Sequence, residues 1–247
     1  MKQSKILMGM TITIEIADDY ADKKIFRKIF SYFKQIDKKF STYKENSEIS
    51  KINRGELPKK EWSSEMKEVF KLSEETKRET GGYFDIQRPN GNYDTSGLVK
   101  GWAILKATDI LKENGFKNFY IDAGGDIQTF GKNDKNEPWK IGIRNPFKTE
   151  EIIKKFHIKN QGVATSGTYI RGQHIYNPKK PSESINDIVS LTVIGPNIYE
   201  ADRFATAAFA MGENGIYFIE NLPNFEGYMI DKNGIAKMTS GFEQYAI

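Results

Sequence analysis

A carboxylate and a hydroxyl stand one helical turn apart toward the C-terminal end of the chain. Asp202 and Thr206 lie in ADRFATAAFA, an alanine-rich segment that predicts a helix over residues 201–211. Residues four apart on a helix share a face, and this pair of hard oxygens would suit Mg²⁺, which takes only one or two protein carboxylates. Alternatively, the acid complements the helix dipole near the N-terminus and the threonine faces a neighbouring element. The segment alone favours this second interpretation.

A second candidate site is the stretch DTSGLVKGWA at residues 94–103. The apolar positions that follow recur at helical spacing, so a helix should begin near Ser96 or Gly97. The unpaired N–H groups and the dipole of a helix N-terminus attract anions such as phosphate, and Lys100 would add a full charge. The stretch does not match the P-loop pattern, because only Gly97 and Gly101 flank the lysine and no Ser or Thr follows it. The alternative, which the segment alone favours, is a surface helix capped by Thr95 or Ser96 with a solvated lysine.

Aromatic side chains stand beside polar ones at two loop-like positions, FSTY at residues 40–43 and YFD at residues 83–85. Rings in such positions could stack on a planar heterocycle. Anchoring a loop to the hydrophobic core is their commoner use, because a large ring buries a large apolar area. The two segments are therefore candidates for a ligand site only in combination with other residues.

His174 lies in a glycine-containing loop, close in sequence to Arg171 and Thr168. A histidine there could act as a general base or contact a phosphate, since its ordinary pKa is near neutrality. A structural role is equally consistent with the sequence, because no nearby residue identifies a partner. The chain has 2 histidines in all, too few for a histidine-rich metal site.

Composition excludes several classes of protein. The chain has no cysteine, which rules out disulfides, thiolate metal ligands and a cysteine nucleophile. Its net charge of +4 comes from 37 basic and 33 acidic residues, too weak a bias for binding to nucleic acid. No apolar run approaches the ~18 residues of a membrane span. The N-terminal residues alternate between polar and apolar and do not form a signal peptide, so we expect a soluble, cytoplasmic protein.

The remaining pattern predicts an α+β fold, and 247 residues are enough for one large or two small domains. Further helices are predicted over residues 20–38, 63–80 and 96–114, with a short helical turn from Ser47. Strands are predicted over residues 8–16, 119–122, 127–130, 139–144, 152–158, 163–169 and 188–194, and a hairpin over residues 227–238. Because strands and helices do not alternate regularly, mixed or antiparallel sheets are favoured over a doubly wound parallel sheet.

Several of these motifs belong to a series of eight short blocks. The blocks are MGMT from residue 8, FSTYKENSEISKIN from residue 40, TGGYFDI from residue 80, DTSGLVKGWA from residue 94, IDAGGDI from residue 121, VATSGTY from residue 163, HIYNP from residue 174 and ADRFATAAFAMG from residue 201. In this order they resemble the ApbE family of FAD:protein FMN transferases. The resemblance extends over nearly the whole chain. It implies that residues 1–247 form a single α+β domain with packed helices and an FAD site in a cleft between subregions.

The resemblance also implies an activity and residue roles. Family members bind FAD and Mg²⁺, transfer FMN to a threonine or serine hydroxyl of a target flavoprotein as a phosphoester, and release AMP. By resemblance, Lys100 neutralises the pyrophosphate and His174 activates the acceptor hydroxyl, and both belong with Asp202 to the catalytic set. A nearby carboxylate is the alternative base. The metal ligands would be the carbonyl of Gly97, Asp202 and Thr206. The FAD site would be lined by the same lysine and by Met8, Tyr43, Tyr83, Phe84, Asp85, Asp94 and Ile175.

Two other functions remain open on the sequence. An FAD pyrophosphatase would use the same site with water in place of the acceptor hydroxyl, and would yield free FMN and AMP. A protein that only holds FAD would have little need of a metal site and of a lysine at the pyrophosphate. The acceptor protein itself is not identified by any residue of the chain.

The chain departs from the usual family pattern in two respects. HIYNP stands where HIIDP is more usual, and the segment before the histidine is short. These differences concern the surface for the acceptor more than the FAD site. The signal peptide and lipid-bearing cysteine of exported members are absent, which fits a cytoplasmic protein, or an exported, membrane-anchored one whose N-terminus has been removed.

Overall fold

The computed structural model describes residues 1–168 and 175–247. Its helices are α1 (Lys23–Phe40), α2 (Glu48–Asn53), α3 (Ser64–Glu79), α4 (Ser96–Glu113), α5 (Ile198–Ala210) and α6 (Gly215–Glu220). Its strands are β1 (Lys2–Leu7), β2 (Met10–Ile16), β3 (Phe119–Ala123), β4 (Asp126–Phe130), β5 (Trp139–Arg144), β6 (Ile152–Ile158), β7 (Gly162–Gly167), β8 (Ile188–Gly195), β9 (Glu226–Asp231) and β10 (Ala236–Met238). Within these ranges, no helix is long and apolar enough to cross a membrane.

Eight of the described strands form one sheet in the order β1-β2-β3-β4-β7-β8-β9-β10, and each neighbouring pair is antiparallel. The strands β5 and β6 form a separate antiparallel pair. Antiparallel neighbours need only short turns, so the helices are grouped in two long connections. The helices α1 to α4 lie between β2 and β3 in the chain, and α5 and α6 lie between β8 and β9. The predicted α+β fold class is confirmed.

The sheet is covered on both faces. Consecutive residues of a strand point to opposite faces, and on β7 Ala164 joins the main core with α1, α4 and α5 while Val163 joins a second hydrophobic cluster. That second cluster includes Phe156 of β6 and Phe242 of a C-terminal 3₁₀ turn, whose rings lie 5.8 Å apart. Helices therefore cover one face and the β5–β6 hairpin the other, which explains why the strand predicted at residues 188–194 is so apolar.

Side-chain caps fix the starts of the first three helices. Asp22 accepts hydrogen bonds from two backbone N–H groups, so α1 begins at Lys23 and not at residue 20. Ser47 caps α2, where a short helical turn was predicted, and Ser63 caps α3, which was predicted over residues 63–80. Each cap accepts backbone N–H groups that have no intrahelical partner, and the signal is local enough to be read from the residue type.

The helix predicted from residue 201 begins one turn earlier. Asn197 accepts a hydrogen bond from the Glu200 N–H, and α5 therefore begins at Ile198. The alanine-rich pattern concealed this first turn. Asp202 consequently stands in the second turn of α5, so its expected alternative role as an acid near the helix N-terminus is wrong.

The sequence pattern did not predict the first strand, β1, which forms a hairpin with β2. Residues 8–16 were expected to form one strand, whereas the chain reverses at Met8 and Gly9, whose φ angles are 53° and 72°. β1 precedes this turn and pairs with β2. Two successive positive φ angles are typical of a type I′ hairpin turn, but methionine rarely adopts one. At residues 163–169, β7 ends at Gly167, and the last residue of the predicted strand lies outside the described residues.

Candidate active site

A cavity opens where α4 and α5 approach β7 and the turn between β3 and β4. It contains about 930 Å³ of space outside the protein atoms, part of it open to solvent. α4 contributes Ser96, Gly97 and Lys100, and α5 contributes Asp202 and Thr206. The other described lining residues are Tyr83, Phe84, Asp85, Arg88, Asp94, Gly124, Thr165, Ser166, Gly167, Ile175, Tyr176 and Pro178.

The two helices approach each other at a pair of glycines. A Cβ on Gly101 would lie 2.6 Å from Asp202 Cβ and 2.7 Å from the carbonyl oxygen of Ile198, so a side chain there would clash. One turn earlier, a Cβ on Gly97 would lie 3.0 Å from Thr206 Cγ2. The close approach allows the Gly101 N–H to donate to Asp202 Oδ2 (2.7 Å) and Thr206 Oγ1 to donate to the Gly97 carbonyl (3.3 Å). The segment DTSGLVKGWA, at the start of α4, and the helix α5 therefore contact each other directly.

Three charged side chains lie together at this crossing. Lys100 Nζ is 2.5 Å from Asp126 Oδ2 and 3.9 Å from Asp202 Oδ1. Both acids are buried, with Asp126 1% and Asp202 3% exposed. Burial raises the pKa of Asp202 to about 8; attraction to Lys100 opposes this, while the charge of Asp126 and a hydrogen bond with its carboxyl group add to it. Two buried acids thus share one ammonium, an arrangement that favours a further positive charge.

The oxygens beside these charges fit a Mg²⁺ site. The Gly97 carbonyl, the Asp202 carboxylate and the Thr206 hydroxyl border the same cavity, and the oxygens of Gly97 and Thr206 lie 3.3 Å apart. These are hard donors that include one carboxylate, the kind of partial ligand set that Mg²⁺ completes with water and phosphate oxygens. Residues 1–168 and 175–247 contain no cluster of three or more histidine or acidic side chains for a metal. A cation here would therefore depend on backbone, hydroxyl and substrate oxygens.

α4 begins at Ser96, as predicted, but neither Thr95 nor Ser96 caps it with its side chain. Thr95 is at the cap position, but its side chain makes no capping bond and its hydroxyl is buried with no hydrogen-bond partner among the described residues. Asp94 Oδ1 instead accepts from the Ser96 N–H (3.0 Å), and Arg88 Nη2 lies 2.5 Å from Asp94 Oδ2. Burial raises the pKa of Asp94, but these hydrogen bonds outweigh it and hold the pKa below its usual value. A phosphate would therefore have to bind beside this carboxylate, toward Lys100.

Cations contact two aromatic side chains that line the cavity. The Arg88 guanidinium lies 4.7 Å from the ring centroid of Tyr176, and the Lys179 ammonium lies 4.6 Å from that of Tyr83. The Tyr176 hydroxyl also donates to the carbonyl of Gln87 (2.9 Å). These contacts join the segment after residue 174 to the loop after α3. They place two half-buried rings in the cavity lining, where a planar ligand could stack.

Most of the residues predicted for the FAD and metal sites border this one cavity. They are Tyr83, Phe84, Asp85, Asp94, Gly97, Lys100, Ile175, Asp202 and Thr206. Met8 and Tyr43 are not among its described lining residues; Met8 is in the β1–β2 turn, and Tyr43 is 97% exposed. His174 lies outside the described residues. The individual roles of all these residues remain predictions.

Sequence reasoning missed the acid closest to Lys100. Asp126 is in the block IDAGGDI, which contributed to the family resemblance but was given no role of its own. It begins β4 directly after the glycine pair of this block, and the Thr165 N–H donates to its Oδ1 (3.1 Å). An acid at the start of a strand after a glycine turn is the signal that was available. Arg88 and Tyr176 gave no such signal, because their contact joins segments far apart in the sequence.

Comparison with known proteins agrees with the resemblance to the ApbE family. The model of the ApbE family matches residues 8–89 and 87–229. An FAD:protein FMN transferase from Haemophilus influenzae is 23% identical over 98% of this chain and 92% of its own length. Proteins of the same name from Vibrio cholerae and Escherichia coli K12 are 30% and 26% identical over 62% of this chain. These last two alignments include 47% and 46% of the relative's length, so they take in about half of each relative.

Solved structures share the fold along its whole length. The flavin transferase ApbE from Vibrio cholerae superposes with a TM-score of 0.86 at 23% identity, over 99% of this chain and 98% of that one. The ApbE protein from Thermotoga maritima gives a TM-score of 0.87 at 21% identity, over 100% and 99% of the two chains. At these identities the likeness defines the fold.

Proposed function

Because the chain belongs to the ApbE family, we propose that it is an Mg²⁺-dependent FAD:protein FMN transferase. The enzyme would move the FMN part of FAD to a threonine or serine hydroxyl of a target flavoprotein as a phosphoester and release AMP. One observation carries the proposal: the cavity combines Lys100, Asp202 and Thr206 with the half-buried ring of Tyr83. Charge for a pyrophosphate and a surface for a flavin or adenine ring are thus found together. The names of the curated relatives agree with it.

The transfer replaces one phosphorus–oxygen bond by another. The acceptor hydroxyl oxygen attacks the phosphorus of the FMN half, and the bond from that phosphorus to the bridging oxygen breaks. The electron pair of that bond leaves with AMP, and the hydroxyl proton goes to a base. The products are therefore the phosphoester, AMP and one proton. By resemblance the base is His174, and this assignment remains a prediction.

The side chains on α4 and α5 would handle the charge of the pyrophosphate. The ammonium of Lys100, with a side chain 19% exposed at the cavity, would stabilise phosphate oxygens as negative charge moves to the leaving AMP. Gly97, Asp202 and Thr206 would hold Mg²⁺, which when bound supplies further positive charge to those oxygens. The raised pKa of Asp202 reflects the cost of a buried negative charge, which a cation would offset.

The test is an incubation of the purified chain with FAD and a flavoprotein fragment that carries a candidate acceptor threonine, with and without Mg²⁺. We expect the mass of the fragment to increase by one FMN residue only when Mg²⁺ is present. A fragment in which the acceptor threonine is replaced by alanine is the matched control and should gain no mass.

Two outcomes would identify other functions at the same site. Free FMN and AMP that accumulate equally fast with and without the acceptor would identify an FAD pyrophosphatase. FAD that remains intact after prolonged incubation with Mg²⁺ and acceptor would identify a protein that only binds FAD. Both outcomes contradict the transferase, and the two differ in whether AMP is released.

A further inference from the structure

Lys100 stands between two buried carboxylates but lies much closer to one of them. Its Nζ is 2.5 Å from Asp126 Oδ2, against 3.9 Å from Asp202 Oδ1. The other oxygen of Asp202, Oδ2, accepts a hydrogen bond from the Gly101 N–H (2.7 Å). The Asp202 oxygen that this bond does not engage is thus the one nearest to the lysine.

The sheet fixes the position of Asp126. The residue is 1% exposed, and its Oδ1 accepts from the backbone N–H of Thr165 on β7 (3.1 Å). β7 is the strand paired with β4, on which Asp126 is the first residue. With one oxygen bonded to the backbone of a neighbouring strand, the other is presented to Lys100. A fixed carboxylate can therefore determine where the end of a long, flexible lysine side chain lies.

This placement matters because an ammonium and Mg²⁺ would compete for Asp202. In a site shielded from water, the attraction between opposite charges increases steeply as they approach. If the Lys100 ammonium moved into direct contact with Asp202, it would neutralise the carboxylate. Asp202 would then attract a second cation less strongly. The ion pair with Asp126 opposes this movement.

We propose that Asp126 is a positioning residue, which holds Lys100 away from Asp202 and so keeps Asp202 available to Mg²⁺. The inference rests on the metal site of the proposed function and deepens it. It assigns a purpose to a buried acid that acts through Lys100 and not by itself on substrate. It also predicts that the two acids cannot exchange roles, because Asp126 is bonded to β7 and Asp202 to α4.

The experiment is a calorimetric titration of the whole chain with Mg²⁺, without FAD, at about pH 8.5 so that protons compete less for the carboxylates. D126N should raise the Kd for Mg²⁺ by ~10–100-fold, the usual effect of residues that support metal ligands. D122N is the matched control: Asp122 is a nearby acid on β3 that accepts from the Gly125 N–H (2.8 Å). Its variant should bind Mg²⁺ as the wild type does.

A variant of Lys100 distinguishes a positioning role of Asp126 from a purely structural one, because only the positioning role depends on the lysine. In a K100M background, D126N should weaken Mg²⁺ binding much less than in the wild type, because no ammonium remains to compete. An equal loss in both backgrounds would overturn the inference, since Asp126 would then attract the cation by its own charge. Should D126N not fold, K100M alone decides: it should bind Mg²⁺ more tightly than the wild type, and weaker binding overturns the inference.

The failure of this inference and that of the proposed metal site give different results. Wild type and D126N that bind Mg²⁺ with the same Kd would overturn the role of Asp126 alone. A wild type that binds no Mg²⁺ would overturn the metal site itself, and the role of Asp126 with it.

Discussion

Asp202 carries an ionisable group in a place where its charge is costly without a cation. The side chain is buried at the helix crossing, beside a second buried acid, and its pKa is raised to about 8. A buried carboxylate is stable only when paired and hydrogen-bonded. The site is therefore matched to a cation, and this match is testable at the level of one atom.

We predict that D202N loses Mg²⁺-dependent transfer and any Mg²⁺-induced rise in melting temperature. Without Mg²⁺ the variant should melt at or above the wild-type temperature, because asparagine removes the buried charge and still accepts from the Gly101 N–H. Thermal melts with and without Mg²⁺ and the mass assay measure both effects. E200Q is the control: Glu200 is on the same helix and pairs with Arg203 (2.6 Å) outside the cavity lining, so it should keep both properties. Mg²⁺ binding by D202N would exclude Asp202 as a ligand.

Asp94 should make the stability of the protein depend on pH. Its pKa lies below the usual value, because Arg88 and the Ser96 N–H bond to the ionised form. A lowered acid pKa contributes stability above the unfolded-state pKa of ~3.9, and this contribution is lost as the pH falls through the folded-state pKa. D94N should therefore lower the free energy of unfolding by about 1–3 kcal/mol near neutral pH, and by much less at about pH 2. Urea denaturation at both pH values measures this, and a loss independent of pH would contradict it.

The close packing of α4 against α5 depends on two glycines of α4, Gly97 and Gly101. A Cβ on Gly101 would lie within 2.7 Å of a backbone oxygen, which cannot move aside without shifting α5. We predict that G101A is destabilised by about 1–3 kcal/mol, the usual cost of overpacking, even though alanine favours a helix by up to ~1 kcal/mol over glycine. G97A is the matched control, because its nearest neighbour is a threonine methyl at 3.0 Å, which can adjust. Urea denaturation should place G97A between wild type and G101A, and equal stability of the two variants would be inconsistent with this account.

Elements with local signals were predictable from the sequence, and elements without them were not. α3 and α4 follow an apolar stripe with caps or stops at their ends, and their starts agree with the prediction. The first turn of α5 was missed because its cap, Asn197, precedes the alanine-rich run. β1 was missed because the turn after it contains Met8, a residue that does not favour a positive φ. The periodic interior of an element is thus more readable than its boundary.

At the scale of the whole molecule, the spacing of Asp202 and Thr206 in the sequence predicted that they share a helix face. It could not predict which residues from other elements lie opposite that face. The glycines at this face come from a helix about 100 residues earlier in the chain, and Asp126 arrives from the sheet. Such contacts depend on how the layers pack, and no period of 2 or 3.6 residues encodes them. The family resemblance connected the blocks, yet it gave no role to Asp126, whose partner is visible only in three dimensions.

The sheet also separates stability on one face from the candidate site on the other. Phe242 is fully buried in the second hydrophobic cluster, where its ring lies 5.8 Å from that of Phe156 and 5.3 Å from that of Tyr228. α5, with Asp202, packs in the main core on the opposite face. Truncation of a buried phenylalanine usually costs about 3–5 kcal/mol.

We therefore expect F242A to melt well below the wild type and yet, at temperatures where it is folded, to keep the wild-type Kd for Mg²⁺ and the rate of FMN transfer. Melting curves, titration with Mg²⁺ in the cold and the mass assay separate the two properties. F147A is the control for loss of an aromatic ring, because Phe147 is 56% exposed and its truncation should change neither. The central strands β7 and β8 bury side chains on both faces, so they connect the two hydrophobic clusters. A folded F242A with weakened Mg²⁺ binding would mean that these strands couple the second cluster to the candidate site, and would contradict the prediction.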